Sequence, residues 1–349
     1  MERDICDSAR KVYAALGDSL SRRIYAKRTL FSLTGDWQPL REILLLTEEG
    51  RAFREALDML PPRTLCLIYG AGERGRYLPF WWDAPWAGYI DQDAKKQGSR
   101  IHGLTVYSLE TARKEYPDAA IVITNRYGYE GIEANLLEGG VSPRRIINFA
   151  RIAHRLEARQ YFDLDALPHV SGECFVDGGA FDGASSLAFQ RWCGDDYAHV
   201  YAFEPDAANR ARCTAQFASR LPSGSYDVIP KGLWSSMGGL SFQDGQGAFS
   251  SLQQGGREFA AVGALDEELR GKRITFLKLD IEGAEQEALQ GAAQILREQQ
   301  PKCAISVYHK PKDIFSLPAL LLEWYPNSRL YLRHYLLREY DTVLYVVPQ

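Results

Sequence analysis

The chain is poor in cysteine and shows no cysteine pattern. Its six residues of this type, Cys6, Cys66, Cys174, Cys193, Cys213 and Cys303, have no C-x-x-C spacing and no paired histidines beside them. Neither a zinc site nor a disulfide framework is indicated. There is no basic excess either, since 41 Lys and Arg face 45 Asp and Glu, for a net charge of -4. No field for a polyanion follows, and nucleic acid is not an expected partner. No apolar run nears the length of a bilayer crossing, and Met1-Glu2-Arg3-Asp4 opens no apolar signal core. The expectation is a cytoplasmic enzyme without a membrane partner. What the chain does have is core material, with 46% apolar residues over 349 positions, enough for about two domains.

Residues 1–62 read as an N-terminal helical segment. Val12, Leu16, Leu20 and Ile24 recur at helical intervals, and Pro61-Pro62 ends the pattern. Packing on the next domain is its expected role, with a homodimer contact as the alternative. Residues 63–150 read as a small Rossmann-like unit. The buried-strand pattern Leu65 to Tyr69 runs into Gly70-Ala71-Gly72-Glu73-Arg74-Gly75, and Asp91 follows 21 residues after Gly70, where an acid can meet a ribose. Further apolar strands are expected at 120–124 and 146–149. This unit resembles the short Rossmann-like domains at the front of sugar-modifying transferases and polysaccharide-biosynthesis proteins. That resemblance implies a nucleotide or nucleotide-sugar at Gly70, Gly72, Arg74, Gly75 and Asp91, while a scaffold that binds nothing stays open. Arg74 either meets a phosphate or pairs with Asp91 or another acid. Trp81, Trp82 and Trp86 are expected in the core rather than stacked on a ligand.

A helical connector over 151–168 is stopped by Pro168, and a larger α/β domain is expected over 169–349. Strands alternate with helices there, the signature of a parallel sheet covered on both faces. Cys174-Phe175-Val176 ends in Asp177, and Gly178, Gly179, Phe181, Asp182 and Gly183 follow before a helix opens. Glycines let backbone N–H groups approach a ligand closely. The carboxylates of Asp177 and Asp182 would repel a pyrophosphate and attract an ammonium and a sulfonium, which points to S-adenosylmethionine. A strand-ending, helix-capping Asp177 is the structural alternative.

Glu204, 25 residues after Gly179 at the end of another strand, can accept from both ribose hydroxyls, with Pro205 fixing the turn. Capping by Glu204-Pro205-Asp206 is its alternative. Lys231-Gly232-Leu233 offers a wall for adenine or an ordinary turn, and the glycine- and serine-rich stretch 238–251 reads as a flap or a plain hairpin. The strand over 275–279 ends in Asp280, and Glu282 follows. Strand ends in an open parallel sheet share one rim, so four acids would converge, and burying them without a cationic ligand or metal is costly. His309 follows the strand over 304–308 and is the candidate general base. His334 is a second candidate. Lys310 and Lys312 would suit an acidic acceptor or only solvent. Spacing does not rule out Mg²⁺ held by few ligands, but no obligatory metal is expected.

The motifs F-V-D-G-G-A-F-D-G, Y-A-F-E-P-D, K-G-L-W-S, F-L-K-L-D-I-E-G-A-E, I-S-V-Y-H-K-P and L-Y-L-R-H-Y stand in that order. From about Phe175 to Pro348 the chain resembles the FkbM family of S-adenosylmethionine-dependent methyltransferases. The resemblance implies an α/β fold of the Rossmann-like class I methyltransferase type, closed by an antiparallel edge hairpin at 330–347. It also implies that Asp177, Gly179 and Asp182 hold the methionine end of the cofactor, Glu204 the ribose and the segment Lys231 to Leu233 the adenine. Asp280 and Glu282 would border the methyl group. The activity implied is methyl transfer to a hydroxyl oxygen of a sugar, glycan precursor or natural product. The alternative is a nucleotide- or nucleotide-sugar-binding protein whose methyltransferase-like domain is regulatory or inactive.

Overall fold

A computed structural model of the chain describes residues 2–242, 258–335 and 340–349. Two compact units emerge. The smaller comprises residues 33–159 with 334–340, and the larger residues 1–32, 160–333 and 341–349.

The smaller unit is built on strands β1 (Cys66–Tyr69), β2 (Trp86–Ile90), β3 (Arg100–Ile101), β4 (Leu104–Tyr107), β5 (Ala120–Ile123) and β6 (Ile146–Ile147). They form one sheet in the order β3-β4-β2-β1-β5-β6. Every pairing is parallel except the β3–β4 hairpin. The central strands β1 and β5 are buried along their whole length, which is why both read as unbroken apolar runs. Trp81 and Trp82 are buried. Phe53 lies edge-on to Trp82, with ring centroids 5.0 Å apart, and 4.6 Å from Phe149. The indole of Trp86 donates to the carbonyl of Trp82. All three tryptophans thus have packing or hydrogen-bonding roles inside the unit.

The larger unit adds β7 (Glu173–Gly178), β8 (Tyr197–Phe203), β9 (Tyr226–Ile229), β10 (Gly232–Leu233), β11 (Gly238–Phe242), β12 (Glu258–Gly263), β13 (Phe276–Leu279), β14 (Lys302–Ser306), β15 (Arg329–His334) and β16 (Thr342–Val347). Seven of them form a sheet in the order β15-β16-β14-β13-β7-β8-β9, and β10-β12-β11 form a separate small sheet. The pairings from β14 through β13, β7 and β8 to β9 are parallel, while β16 runs antiparallel to β14. Chain order reverses between β7 and β13, so the carboxyl ends of these two strands flank a topological switch point, where open α/β sheets bind ligands. Beneath it, Phe162, Phe175, Phe189, Trp192 and Phe276 form an aromatic core, with Phe175 and Phe189 stacked at 4.3 Å.

The single N-terminal segment expected over 1–62 is divided between the units. Residues up to Ser32 go with the larger one. Gly17 donates its N–H to the carbonyl of Leu330, Leu332 N–H donates to the hydroxyl of Ser21, and Arg333 pairs with Asp18 at 2.8 Å. Helical periodicity tells a helix which face to bury, not against which partner. The connector likewise splits: helix Phe149–Glu157 stays with the smaller unit, and the larger resumes at Gln160 rather than at residue 169. Of the stretch 238–251, only β11 lies within the described residues. The turn expected at 339–341 is likewise described only from residue 340.

Candidate active site

The turn after β7 is held open by backbone geometry. Gly179 has φ of +75°, and a Cβ there would stand 2.0 Å from the carbonyl oxygen of Asp280, so the two strand ends touch through backbone alone. Gly183, at φ +87° with Phe217 against it, leads into helix Ala184–Trp192. Phe181 takes φ of +52° without being glycine. Its N–H is fixed by Glu204 Oε2 at 2.8 Å, while Glu204 Oε1 accepts from Asp206 N–H at 2.9 Å. Glu204 therefore ties the ends of β7 and β8 together. Burial raises its pKa against the pull of these two N–H groups.

Asp177 behaves differently from the expectation. Its side chain is fully buried, paired with Lys278 at 2.9 Å, and accepts from the hydroxyls of Ser185 and Ser186 at 2.6 and 2.7 Å. Lys278 also donates to the carbonyls of Gly178 and Gly179. This pair braces the glycine turn from below, so Asp177 is a positioning acid and does not offer an oxygen at the rim. Gly178 is buried as well, and a Cβ on it would meet Leu279 and Leu233. Lys231 is spent on Glu268 at 2.6 Å. Gly232 and Leu233 are buried in β10, so this segment contributes a packed wall. Asp182, whose Oδ1 accepts from Ala184 N–H, stays partly exposed at the turn.

Beyond β13 and β14 the charged groups gather. Asp280 accepts from the hydroxyls of Tyr161 at 2.7 Å and Tyr308 at 2.8 Å. His309 lies with Nε2 3.5 Å from both Asp280 and Glu282, and with Nδ1 2.9 Å from Glu285. Burial pulls the His309 pKa down, but Glu285, Asp280 and Glu282 outweigh it and hold it up at about 9. An imidazole that keeps its proton at neutral pH cannot take another, which removes His309 from the role of general base. Asp280 is the reverse case: burial alone would raise its pKa, yet His309, Lys278 and the two tyrosines bring it below the ordinary value. Glu282 sits at φ +56° and is driven up to about 7, chiefly by burial and then by Asp280 and Glu285, with His309 opposing. His334 lies in a buried position of β15. Lys310 donates to the carbonyl of Gly283 and Lys312 to Gln286.

The glycine turn of the smaller unit keeps its shape. Gly70 has φ of +111°, Gly72 faces open space, and a Cβ on Gly75 would stand 1.9 Å from the carbonyl oxygen of Gly70. Asp91 and Arg74 are each paired within the unit. Asp91 accepts from Ala71 N–H, Asp93 N–H and Lys96, and Arg74 pairs with Glu157 rather than with Asp91.

Residues 177–335 match the methyltransferase FkbM domain. The C-terminal part of this chain is an FkbM methyltransferase domain. The crystal structure of methyltransferase FkbM from Methylobacillus flagellatus KT overlays on 86% of this chain and 99% of its own, at a TM-score of 0.52 and 19% identity. That likeness shows the fold, a mixed α/β Rossmann-like architecture. A putative methyltransferase from Streptococcus mutans in complex with SAH aligns over 56% of this chain and 97% of its own, at 13% identity and a TM-score of 0.32. No curated protein matches the sequence.

S-adenosylmethionine, the cofactor expected from the glycine turn, accords with the FkbM domain, and the residues present fit it. Asp182, Asp280 and Glu282 remain partly exposed near the strand ends, which suits an ammonium and a sulfonium. Glu204 retains unused lone pairs for hydroxyl donors. Sequence reasoning missed Lys278, Tyr161 and Glu285 as members of this FkbM site. A lysine inside the apolar run F-L-K-L was a legible signal, since a buried cation requires a partner. Tyr161, outside every motif, gave none.

Proposed function

We propose that the FkbM domain transfers the methyl group of S-adenosylmethionine to a hydroxyl oxygen of a sugar, glycan precursor or natural product, in the cytoplasm. The observation that carries this reading is the set of acids, Glu204, Asp280 and Glu282, at the carboxyl ends of neighbouring parallel strands around a glycine turn. Asp182 and Glu204 would hold the methionine end and the ribose. The bound cofactor supplies an electrophilic methyl group. The chain's task is then to align an acceptor oxygen with it, and positioning alone can supply a large part of the rate.

Asp280, pinned by two tyrosine hydroxyls, is a rigid acceptor for the hydroxyl of the substrate. Glu282, whose carboxylate has His309 Nε2 at 3.5 Å, is the group placed to receive the proton. The front glycine turn supports a second ligand, a nucleotide or nucleotide-sugar, because Gly72 leaves open space before the helix that starts at Glu73.

The test is a mass-spectrometric assay of methyl transfer from S-adenosylmethionine to a panel of glycosides, nucleotide-sugars and polyhydroxylated natural products. A product heavier by one methyl on oxygen, reduced at least about 100-fold in Asp280→Asn, is the expected result. Methylation at nitrogen or carbon would sink the hydroxyl reading, and a fully active Asp280→Asn would sink the role of that acid.

A further inference from the structure

Three side chains of the larger unit meet, two of them with polar atoms unspent. One oxygen of Asp280, one of Glu285 and one ring nitrogen of His309 lie within 4.8 Å of one another. The His309 side chain is 7% exposed and that of Glu285 1%. Yet neither ring nitrogen of His309, nor Oε2 of Glu285, makes a hydrogen bond. Each buried polar atom left so costs roughly 1–3 kcal/mol. One ring nitrogen and Glu285 Oε2 can turn to a shared partner.

Glu285 Oε1 stands 2.9 Å from Nδ1 and Asp280 Oδ1 3.5 Å from Nε2, so the two acids approach different nitrogens of one ring. An ion takes only one of those nitrogens, and one oxygen of each acid lies within 4.8 Å of a ring nitrogen and of the other acid. Supporting contacts are already in place. Tyr161 and Tyr308 orient Asp280, and Ile281 N–H fixes Glu285 Oε1 at 2.9 Å, as outer hydrogen bonds do for ligating carboxylates. The neighbouring lysines do not fill the spot, because Lys278 is committed to Asp177 and two carbonyls and Lys310 to the carbonyl of Gly283.

We propose that Asp280, Glu285 and His309 form a binding site for one divalent transition-metal cation. Two carboxylates and an imidazole, which gives up its proton as the ion binds, suit Mn²⁺, Fe²⁺ or Zn²⁺ better than Ca²⁺ or Mg²⁺. The sequence left a cation open but led to the expectation that none is obligatory, and this proposal goes against that expectation. The ion's use rests on the methyl-transfer reading: beside an acceptor hydroxyl it acts as a Lewis acid that favours loss of the proton, and as a template that fixes the oxygen. Binding itself does not depend on that reading.

The test uses the full chain, stripped with chelator and titrated with MnCl₂ by calorimetry and electron paramagnetic resonance. One equivalent binding at micromolar concentration, with a histidine nitrogen coupling in the electron-spin-echo spectrum, is expected. His309→Gln should remove the coupling, and His309→Gln and Glu285→Gln should each weaken binding at least tenfold. The wild-type nitrogen coupling decides the matter even where a variant fails to fold. Binding no tighter than millimolar, binding without the nitrogen coupling, or displacement of Mn²⁺ by S-adenosylmethionine overturns the site. Methyl transfer undiminished in chelator, with no Mn²⁺ bound, overturns the cation and leaves the function standing. Mn²⁺ bound as described without methyl transfer to any hydroxyl upholds the cation and leaves the function to fall alone.

Discussion

The two glycine turns of this chain have the same local architecture and opposite electrostatics. Around Gly70 to Gly75, Asp91 is shared among two backbone N–H groups and Lys96, and Arg74 is matched by Glu157. Around Gly178 to Gly183 Asp177 is matched by Lys278, while Asp280, Glu282 and Glu285 share the single His309. Asp182, Asp280, Glu282 and Glu285 outnumber the cations near them. A glycine motif fixes the path of the backbone, and the balance of charge around it decides what it can attract.

The comparison breaks hardest at the matched acid of the larger unit. Asp177→Asn leaves Lys278 buried and unpaired. A loss of about 3–5 kcal/mol in unfolding free energy is expected, read by urea denaturation. A loss below about 1 kcal/mol would mean that the pair does not brace the turn.

Next comes the acid that joins β7 to β8. Glu204→Gln sets a side-chain N–H₂ against one of two backbone N–H donors. S-adenosylmethionine affinity, measured by calorimetry, should fall about tenfold, equivalent to about 1.4 kcal/mol. Unchanged affinity would remove Glu204 from the cofactor site.

A smaller effect separates the N-terminal helices from the rest. Burial would raise the pKa of Asp18, but hydrogen bonds from Arg333 and Ser21 outweigh it and bring the net value below 3.8. A depressed carboxylate stabilises the fold above its ordinary pKa, and that contribution fades as pH falls through the folded value. Asp18→Asn should therefore cost up to about 1 kcal/mol at pH 7 and nothing in strong acid, where both forms are neutral. A stability difference that persists in strong acid would assign the effect to packing.

The smallest expected effect sharpens the contrast between the two turns. Gly72→Asp puts a side chain into open space in the smaller unit, so methyl transfer to a simple glycoside should be unchanged while nucleotide-sugar binding to the front unit is lost. Loss of transfer to the simple glycoside would make the front turn part of the reaction.

How much of this was legible varies by element. The strands β1, β5, β7, β13 and β14 could be read because each is buried along its length and therefore carries an apolar run. The two-residue strand β3 is too short to carry a period, whereas β6 falls inside the apolar stretch expected over 146–149. Asp280 and Glu282 were legible as acids at a strand end. The tyrosine clamp on Asp280 was not, since Tyr161 lies 119 residues away in sequence.

Taken by itself, the sequence determined the two α/β units, their glycine turns and the acids at the strand ends, because period, turn chemistry and strand length are local properties. Only the tertiary structure decided which acids are already neutralised, which remain available to a ligand, and which unit each N-terminal helix joins. Those outcomes depend on partners brought together across more than 100 residues of chain, as with Asp177 and Lys278, Asp280 and Tyr161, and Asp18 and Arg333. No local pattern encodes such a distance.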